Sequence, residues 1–209
     1  TVSAAKDGKT SNSVTVEVTD DGKTYTAACL FLSSVLSENS WANIAAASAA
    51  GLADDMWEVG DEIDITVSGE TLTLIIMDFN HDDLADGGKA GVTFGTKNLM
   101  TTPRKMNNTR TNTGGYTESD AYEWIQNTLL ADLPSDLQAV VKTVNKLTRL
   151  SSSAETASAV AMKLFLFSWD EVSSEAEQSM GEGTLYSCFP TRESRVKYLA
   201  NGSGAVHEW

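Results

Sequence analysis

The sequence predicts an α+β fold that is rich in loops. Strand-like patterns come first along the chain and helical patterns follow, without the sustained alternation of strand and helix that a parallel sheet needs. A long polar stretch, residues 82–117, interrupts these patterns, and connections of that length in a compact domain are generally functional or packed on themselves. With 209 residues and 41% apolar content, the chain is large enough to bury a core.

Two β-hairpins are expected in the first part of the chain. Residues 1–12 are small and polar and indicate a flexible linker, and residues 13–39 are expected to hold an N-terminal hairpin with its turn at Asp20-Asp21-Gly22. In the second hairpin, apolar residues alternate on both sides of a turn at residues 68–70. These residues are Ile63, Ile65, Val67, Leu72, Leu74 and Ile76.

Helices are expected between and after the hairpins. Residues 40–53 are alanine-rich and favour a short helix, and Ser119 can cap a second one. Pro134 is expected to open a third helix. Its apolar face would consist of Leu137, Val140, Val141 and Val144.

The last third of the chain combines loop, strand and helix signals. Residues 151–158 indicate a serine-rich loop, and residues 163–167 are expected to form a short core strand. Ser168 and Glu171 have the spacing of a capping box, so a helix is expected over residues 169–179.

Charge and composition exclude several functional classes. The net charge of −14 disfavours binding to nucleic acid and to anionic lipid, and no apolar run is long enough to cross a membrane. Cys29 and Cys188 lack metal or redox spacing and are interpreted as buried thiols, with a disulfide as the alternative. The chain begins at Thr1 rather than at Met, which suggests a processed chain or a piece of a longer one.

The densest polar cluster follows the second hairpin and is a candidate calcium site. A hard cation takes six to eight oxygen ligands, which this loop can present in part. Lys89 stands where an EF-hand would have its glutamate, so an EF-hand is excluded. The alternative is that the acidic side chains cap turns and that His81 bonds to loop backbone. The candidate ligands are Asp78, Asn80, Asp82, Asp83 and Asp86.

No catalytic set is expected. His81 beside Asp82 and Asp83 suggests a general base, and Ser119 or Ser168 a nucleophile, but both serines are better explained as helix caps. Trp41, Trp57 and Trp124 are expected in the core. A ligand surface is instead expected at Asn107, Asn112, Tyr116 and Trp169.

A series of short motifs carries a family resemblance. They are Trp57-x-Val59-Gly60-Asp61, Asn80-His81-Asp82-Asp83, Thr93-Phe94, Met106-Asn107, Gly114-Gly115-Tyr116, Leu133-Pro134-x-x-Leu137, Lys146-x-Thr148, Lys163-Leu164-Phe165-Leu166-x-Ser168-x-x-Glu171 and Gly181-Glu182-Gly183-x-x-Tyr186. In this order they resemble the DUF6273 family over about residues 41–209. The resemblance implies a C-type-lectin-like domain at residues 40–209, of the kind found in bacteriophage and gut-bacterial surface proteins, that ends at Trp209 before its closing strand.

The expected function follows from that resemblance and from the absence of a catalytic motif. We expect a non-catalytic structural or decoration module of a virion or bacterial cell surface, associated with other protein chains as an oligomer or by sharing a strand. The alternative is an adhesin that recognises a host-cell glycan or protein through residues 82–117. An enzyme acting on cell-wall polysaccharide would need two facing carboxylates, and no spacing indicates such a pair.

Overall fold

A computed structural model describes residues 5–6, 9–10, 30–151, 154–173, 179–202 and 207–208 of the chain. Strands β1 (Ala5–Lys6) and β2 (Lys9–Thr10) pair antiparallel within the expected linker. The predicted hairpin in residues 13–39 lies outside the described residues as far as residue 29, and so does Cys29.

Two short helices begin the well-packed part of the chain. Helix α1 (Trp41–Ala49) starts at Ser40, whose side chain accepts a hydrogen bond from Asn43 N. Because Gly51 has a φ of +65°, the chain turns there, and a separate helix α2 (Ala53–Met56) follows. The predicted helix over residues 40–53 is therefore confirmed as far as Ala49 and interrupted near its end.

The central sheet contains three antiparallel strands. Strands β3 (Glu62–Val67) and β4 (Glu70–Asp78) form the second predicted hairpin, and β5 (Thr93–Thr96) pairs with the other edge of β4. The hairpin turn places Ser68 and Gly69 at φ values of 50° and 80°, as a two-residue turn between twisted strands requires. The alternation of apolar residues was therefore a correct indication of this hairpin.

The main core lies on one side of this sheet. Apolar side chains of β3 and β4 pack there against α1 and the ring of Trp57, and the predictions of burial for Trp41 and Trp57 are confirmed. Trp124 is only half-buried, with the Arg104 guanidinium 3.9 Å from its ring centroid. An exposed guanidinium therefore covers one face of this ring, and the prediction that Trp124 lies in the core is wrong.

Ser119 caps the next helix, as predicted, by accepting a hydrogen bond from Tyr122 N. Helix α3 (Asp120–Trp124), a π-helical turn (Ile125–Leu129) and helix α4 (Leu130–Asp132) follow without a break. Helix α5 (Ser135–Gln138) begins after Pro134 but is only four residues long.

The predicted third helix is therefore too long, and its apolar face is wrong at Val144. Val144 begins strand β6 (Val144–Thr148), which pairs antiparallel with β7 (Ser158–Met162). Val144 lies opposite Met162, so a partner far along the chain decides its conformation.

Two further predictions in this region are also wrong. Residues 163–167 are not a strand, because β7 ends at Met162 and Phe165 and Phe167 pack beyond it against a second apolar cluster. Helix α6 (Trp169–Val172) has the predicted capping box, but Ser173 is extended with φ −140° and ψ 139°, so the helix ends well before residue 179.

The second apolar cluster lies on the other face of β4. It contains Ile75, Met77, Val172, Tyr186 and Phe189. Later in the chain, strands β8 (Val196–Lys197) and β9 (His207–Glu208) pair antiparallel.

The mixture of helices and short antiparallel strands confirms the α+β class. No helix among the described residues is long and apolar enough to span a bilayer.

Candidate functional site

A buried ionic cluster lies beside the second apolar cluster. The ammonium of Lys146 is 2.7 Å from Asp82 Oδ1, donates a second hydrogen bond to Glu171 Oε1, and lies 2.8 Å from the Tyr186 hydroxyl. The side chains of Lys146, Asp82 and Glu171 are 6%, 3% and 2% exposed. Three ionisable side chains are thus enclosed together, and we call them, with Tyr186, the Lys146 cluster.

Strand alternation points Lys146 inward. In β6, Val144, Lys146 and Thr148 are buried while Leu147 is exposed, so the lysine lies on the core face of the strand. The loop that carries Asp82 runs along the same strand, because Asn145 N donates to Asp83 O at 2.8 Å. This backbone contact places the carboxylate of Asp82 against the ammonium.

The capping box of α6 fixes Glu171. Its Oε2 accepts from Ser168 N at 3.0 Å, which leaves Oε1 free to face Lys146. The backbone of Glu171 also accepts from Tyr186 N at 3.0 Å and so holds the tyrosine in the cluster. A local helix signal therefore positions a buried acid.

Two hydroxyl groups complete the contacts of Asp82. Thr93 Oγ1 donates to Oδ2 at 2.6 Å, and the Tyr186 hydroxyl is 2.8 Å from Oδ1 and 2.9 Å from Oδ2. With Lys146, these donors satisfy both oxygens of a carboxylate that has little access to water.

The two acids of the cluster have opposite pKa shifts. Burial alone would raise the pKa of Asp82, but His81, Lys146 and Thr93 outweigh burial and bring that pKa well below its ordinary value. Burial raises the pKa of Glu171, and Lys146 offsets this only in part. The assignment that fits both shifts is an ionised Asp82 paired with Lys146 beside a more weakly acidic Glu171.

His81 covers one side of the cluster. Its ring stacks on Tyr186, and its Nε2 is 3.1 Å from Thr184 O and 3.0 Å from Thr184 Oγ1. Nδ1 lies 3.5 Å from Asp82 Oδ1 without a well-aligned hydrogen bond. Burial lowers the pKa of His81, but the carboxylate of Asp82 outweighs it, and the net shift is upward.

Aromatic rings form the rest of the wall. The Lys146 ammonium is 4.2 Å from the ring centroid of Phe165, and Phe167 packs edge-on against Tyr186 at 5.1 Å. An ammonium over an aromatic face is favourable, and the rings exclude water from the ion pairs.

The structure separates the five predicted calcium ligands. Asp82 points into the Lys146 cluster, Asp83 pairs with Lys89 at 2.7 Å, and Asp78 accepts from Ser187 N at 2.9 Å. Asn80 Nδ2 contacts Asp54 at 3.4 Å, and Asp86 lies on an exposed turn. Within the described ranges, no three His, Cys, Asp or Glu side chains are grouped to hold a metal ion.

The four predicted ligand-binding residues differ in their burial and in their contacts. Asn107 braces its loop by donating to Thr111 O and accepting from Asp120 N, and Asn112 is exposed. Tyr116 is half-buried and accepts from Leu166 N at 3.2 Å, and burial raises its pKa to about 12. Trp169 is half-buried, with the Arg195 guanidinium 5.7 Å from its ring centroid.

Sequence reasoning recognised Asp82 and His81, gave Glu171 a role only in the capping box, and gave no role to Lys146 or Tyr186. The usable signal was the pattern Val144-x-Lys146-x-Thr148, which puts a lysine on the inward side of a short strand. Each of the three residues also belongs to one of the motifs that carry the family resemblance. Those motifs meet in space at the Lys146 cluster.

Comparison with known proteins identifies one protein family. The family model described as "Domain of unknown function (DUF6273)" matches residues 90–209, a narrower range than the expected 41–209. Nothing similar was found among curated proteins or among solved structures. The match includes Thr93, Lys146, Glu171 and Tyr186 and leaves Asp82 just outside it. Because it covers more than half of the chain, this protein belongs to the DUF6273 family.

Proposed function

We propose that this chain is a non-catalytic structural module of a virion or bacterial cell surface, and that it assembles with copies of itself through the β6–β7 ribbon. The observation that carries the proposal is the outer edge of β7, which pairs with no other strand in the described part of the chain. A C-type-lectin-like architecture, with its short antiparallel strands and long loops, is part of the same proposal.

The edge of β7 is suited to strand pairing. Its five residues, Ser158–Met162, carry no charge and contain neither proline nor lysine, the residues that usually protect an exposed edge. Two copies can pair their β7 strands antiparallel about a two-fold axis, which joins the two ribbons into one sheet.

The outward face of the ribbon supports the same contact. Leu147 is 43% exposed and lies opposite Ala159, and Asn145 lies opposite Ala161, so this face has no charged side chain. Leu150, Leu166 and Met180 are also exposed on or next to the ribbon. For a chain with a net charge of −14, an uncharged strip is where two copies can approach with the least repulsion.

Sedimentation over a concentration series tests the proposal. We expect the mass of the native chain to rise with concentration, and the double variant Leu147→Lys with Ala159→Lys to remain monomeric. Val59→Lys is the matched control, because Val59 is also an exposed apolar residue but lies outside the ribbon. A native chain that stays monomeric throughout would overturn the proposal.

The second candidate is an adhesin that uses residues 82–117. It is favoured by the Asn107 contacts, which fix a loop of exposed threonine and asparagine side chains in one conformation. Binding to a bacterial glycan array with calcium and with a chelator distinguishes the two. Saturable binding that Asn112→Ala abolishes would favour the adhesin, and loss on chelation would support calcium as its cofactor.

A further inference from the structure

We propose that Lys146 and Asp82 condense to an intramolecular amide, so that the folded chain carries a covalent cross-link between β6 and the loop after β4. This is a covalent modification of the Lys146 cluster, and it stands or falls independently of the assembly proposed above.

The reacting groups are already in contact. Lys146 Nζ is 2.7 Å from Asp82 Oδ1, and both side chains are almost completely buried. Holding a nucleophile against its target gives effective molarities of about 10⁵–10⁸ M, far above any amine concentration in solution. An amide that does not form between free groups in water can therefore form here.

Asp82 is built to be the electrophile. Its two oxygens accept hydrogen bonds from the hydroxyls of Thr93 and Tyr186, at 2.6 to 2.9 Å. One proton first passes from the Lys146 ammonium to the Asp82 carboxylate. The neutral amine then attacks Cγ of the neutral acid, and donors already in place stabilise the negative charge that develops on its oxygen. Among the described residues, Glu171 accepts hydrogen bonds from Ser168 N and Lys146 but from no side-chain hydroxyl, so we assign the bond to Asp82.

Glu171 is placed to relay the protons. It contacts the ammonium that must lose protons, and it lies in the same cluster as the oxygen that must gain them. Burial raises the pKa of Glu171, so its carboxyl can take and return a proton more readily than an ordinary glutamate. Tyr186, whose pKa burial also raises, keeps its proton and remains a donor.

The step balances without a co-reactant. A bond forms between Lys146 Nζ and Asp82 Cγ, and a bond between Cγ and one carboxylate oxygen breaks. The ammonium gives up two protons, which leave with that oxygen as one water molecule, and Glu171 ends in the state in which it began. Nothing is oxidised or reduced.

The surroundings favour the neutral product. The Phe165 ring lies over the ammonium, and Phe167 packs against Tyr186. Low polarity penalises the charged ammonium and carboxylate, while an amide carries no net charge. The bond would join residues 64 apart in the sequence and connect the loop after β4 to strand β6.

The intact mass of the denatured chain tests the proposal. We expect it to be lower than the sequence mass by one water molecule, and we expect digestion to give a branched peptide that joins Asp82 to Lys146. A full sequence mass in chain shown to be folded would overturn the proposal. A branched peptide through Glu171 would overturn the assignment to Asp82.

Two variants sharpen the test. Asp86 precedes Gly87, and a succinimide there would lose the same mass, so Lys146→Arg is the control: it keeps the positive charge, removes the cross-link and leaves any succinimide in place. Glu171→Gln should slow formation of the branched peptide at least tenfold after refolding. If the branched peptide forms in that variant as fast as in the native chain, the proposed proton relay by Glu171 is wrong. A failure of either variant to fold would leave the mass and branched peptide of the native chain to decide.

Discussion

The ring of His81 stacks on the ring of Tyr186, with centroids 4.0 Å apart and planes inclined by 25°. The two residues are 105 positions apart, and their contact joins the loop after β4 to the segment after α6. The same histidine lies beside Asp82, so its charge state is coupled to the Lys146 cluster. That coupling makes the stability of the fold dependent on pH.

We predict that, in chain whose Asp82 carboxylate is still free, His81 stabilises the fold more at mildly acidic than at alkaline pH. Its pKa is raised above 6.5 in the folded state, so the folded state binds the proton more tightly, and the stabilisation is lost as pH rises through the folded pKa. His81→Phe keeps the stacking and removes the titration. The free energy of unfolding of the native chain should fall relative to this variant between about pH 6 and pH 9.

Urea unfolding at several pH values provides the measurement. The acidic side chains near His81 are common to both proteins, so the difference between the two curves isolates His81 to first order. A constant difference across the range would contradict the prediction.

Removing the buried ammonium should destabilise the chain strongly. Lys146→Met leaves the carboxylates of Asp82 and Glu171 without a cation and also prevents the proposed amide. Breaking a buried ion pair alone costs about 3–5 kcal/mol. Lys97→Met is the matched control: Lys97 pairs with Glu62, both side chains are about half exposed, and such pairs contribute about 0–1 kcal/mol. Urea unfolding of both variants gives the two costs.

Neutralising the remaining acids should reverse part of the loss. The triple variant Lys146→Met, Asp82→Asn, Glu171→Gln should be more stable than Lys146→Met alone, because no unpaired buried charge remains. If Lys146→Met lowers the free energy of unfolding no more than Lys97→Met does, the buried ion pairs of the Lys146 cluster stabilise the fold no more than an exposed pair. That result would contradict the prediction.

Much of the fold could be predicted where the signal is local. The β3–β4 hairpin follows from strict alternation around a two-residue turn, and the caps at Ser119 and Ser168 follow from side chains that bond to backbone within three residues. The end of α5 could not be predicted in this way. Val144 is helix-compatible by periodicity, but pairing with Met162 makes it the first residue of a strand.

The candidate site could be predicted only in part for the same reason. The loop at Asp82 was recognised because its polar residues are adjacent in sequence. Its partner Lys146 is 64 residues away, and a lone lysine in a short strand gives no local sign that it is buried. The positive charge beside Asp82 comes from the side chain of Lys146.

The thiol of Cys188 should be unreactive in the folded chain. Burial raises its pKa to about 12, so almost no thiolate is present at neutral pH. In a Cys29→Ser background, labelling with a thiol reagent should be slow under native conditions and complete in urea. Labelling as fast in buffer as in urea would contradict the expected burial.

Gly183 should be far less tolerant of substitution than Gly181, two positions earlier. Both have positive φ values, 125° and 71°, so alanine is strained at either position. At Gly183 an added Cβ would also lie 2.8 Å from Glu171 Cγ, whereas at Gly181 it would meet open space. We expect Gly181→Ala to cost about 1 kcal/mol and Gly183→Ala about 2–4 kcal/mol, because the clash displaces a buried acid of the Lys146 cluster. Urea unfolding of the two variants measures both costs, and equal costs would show that the position of Glu171 is not constrained.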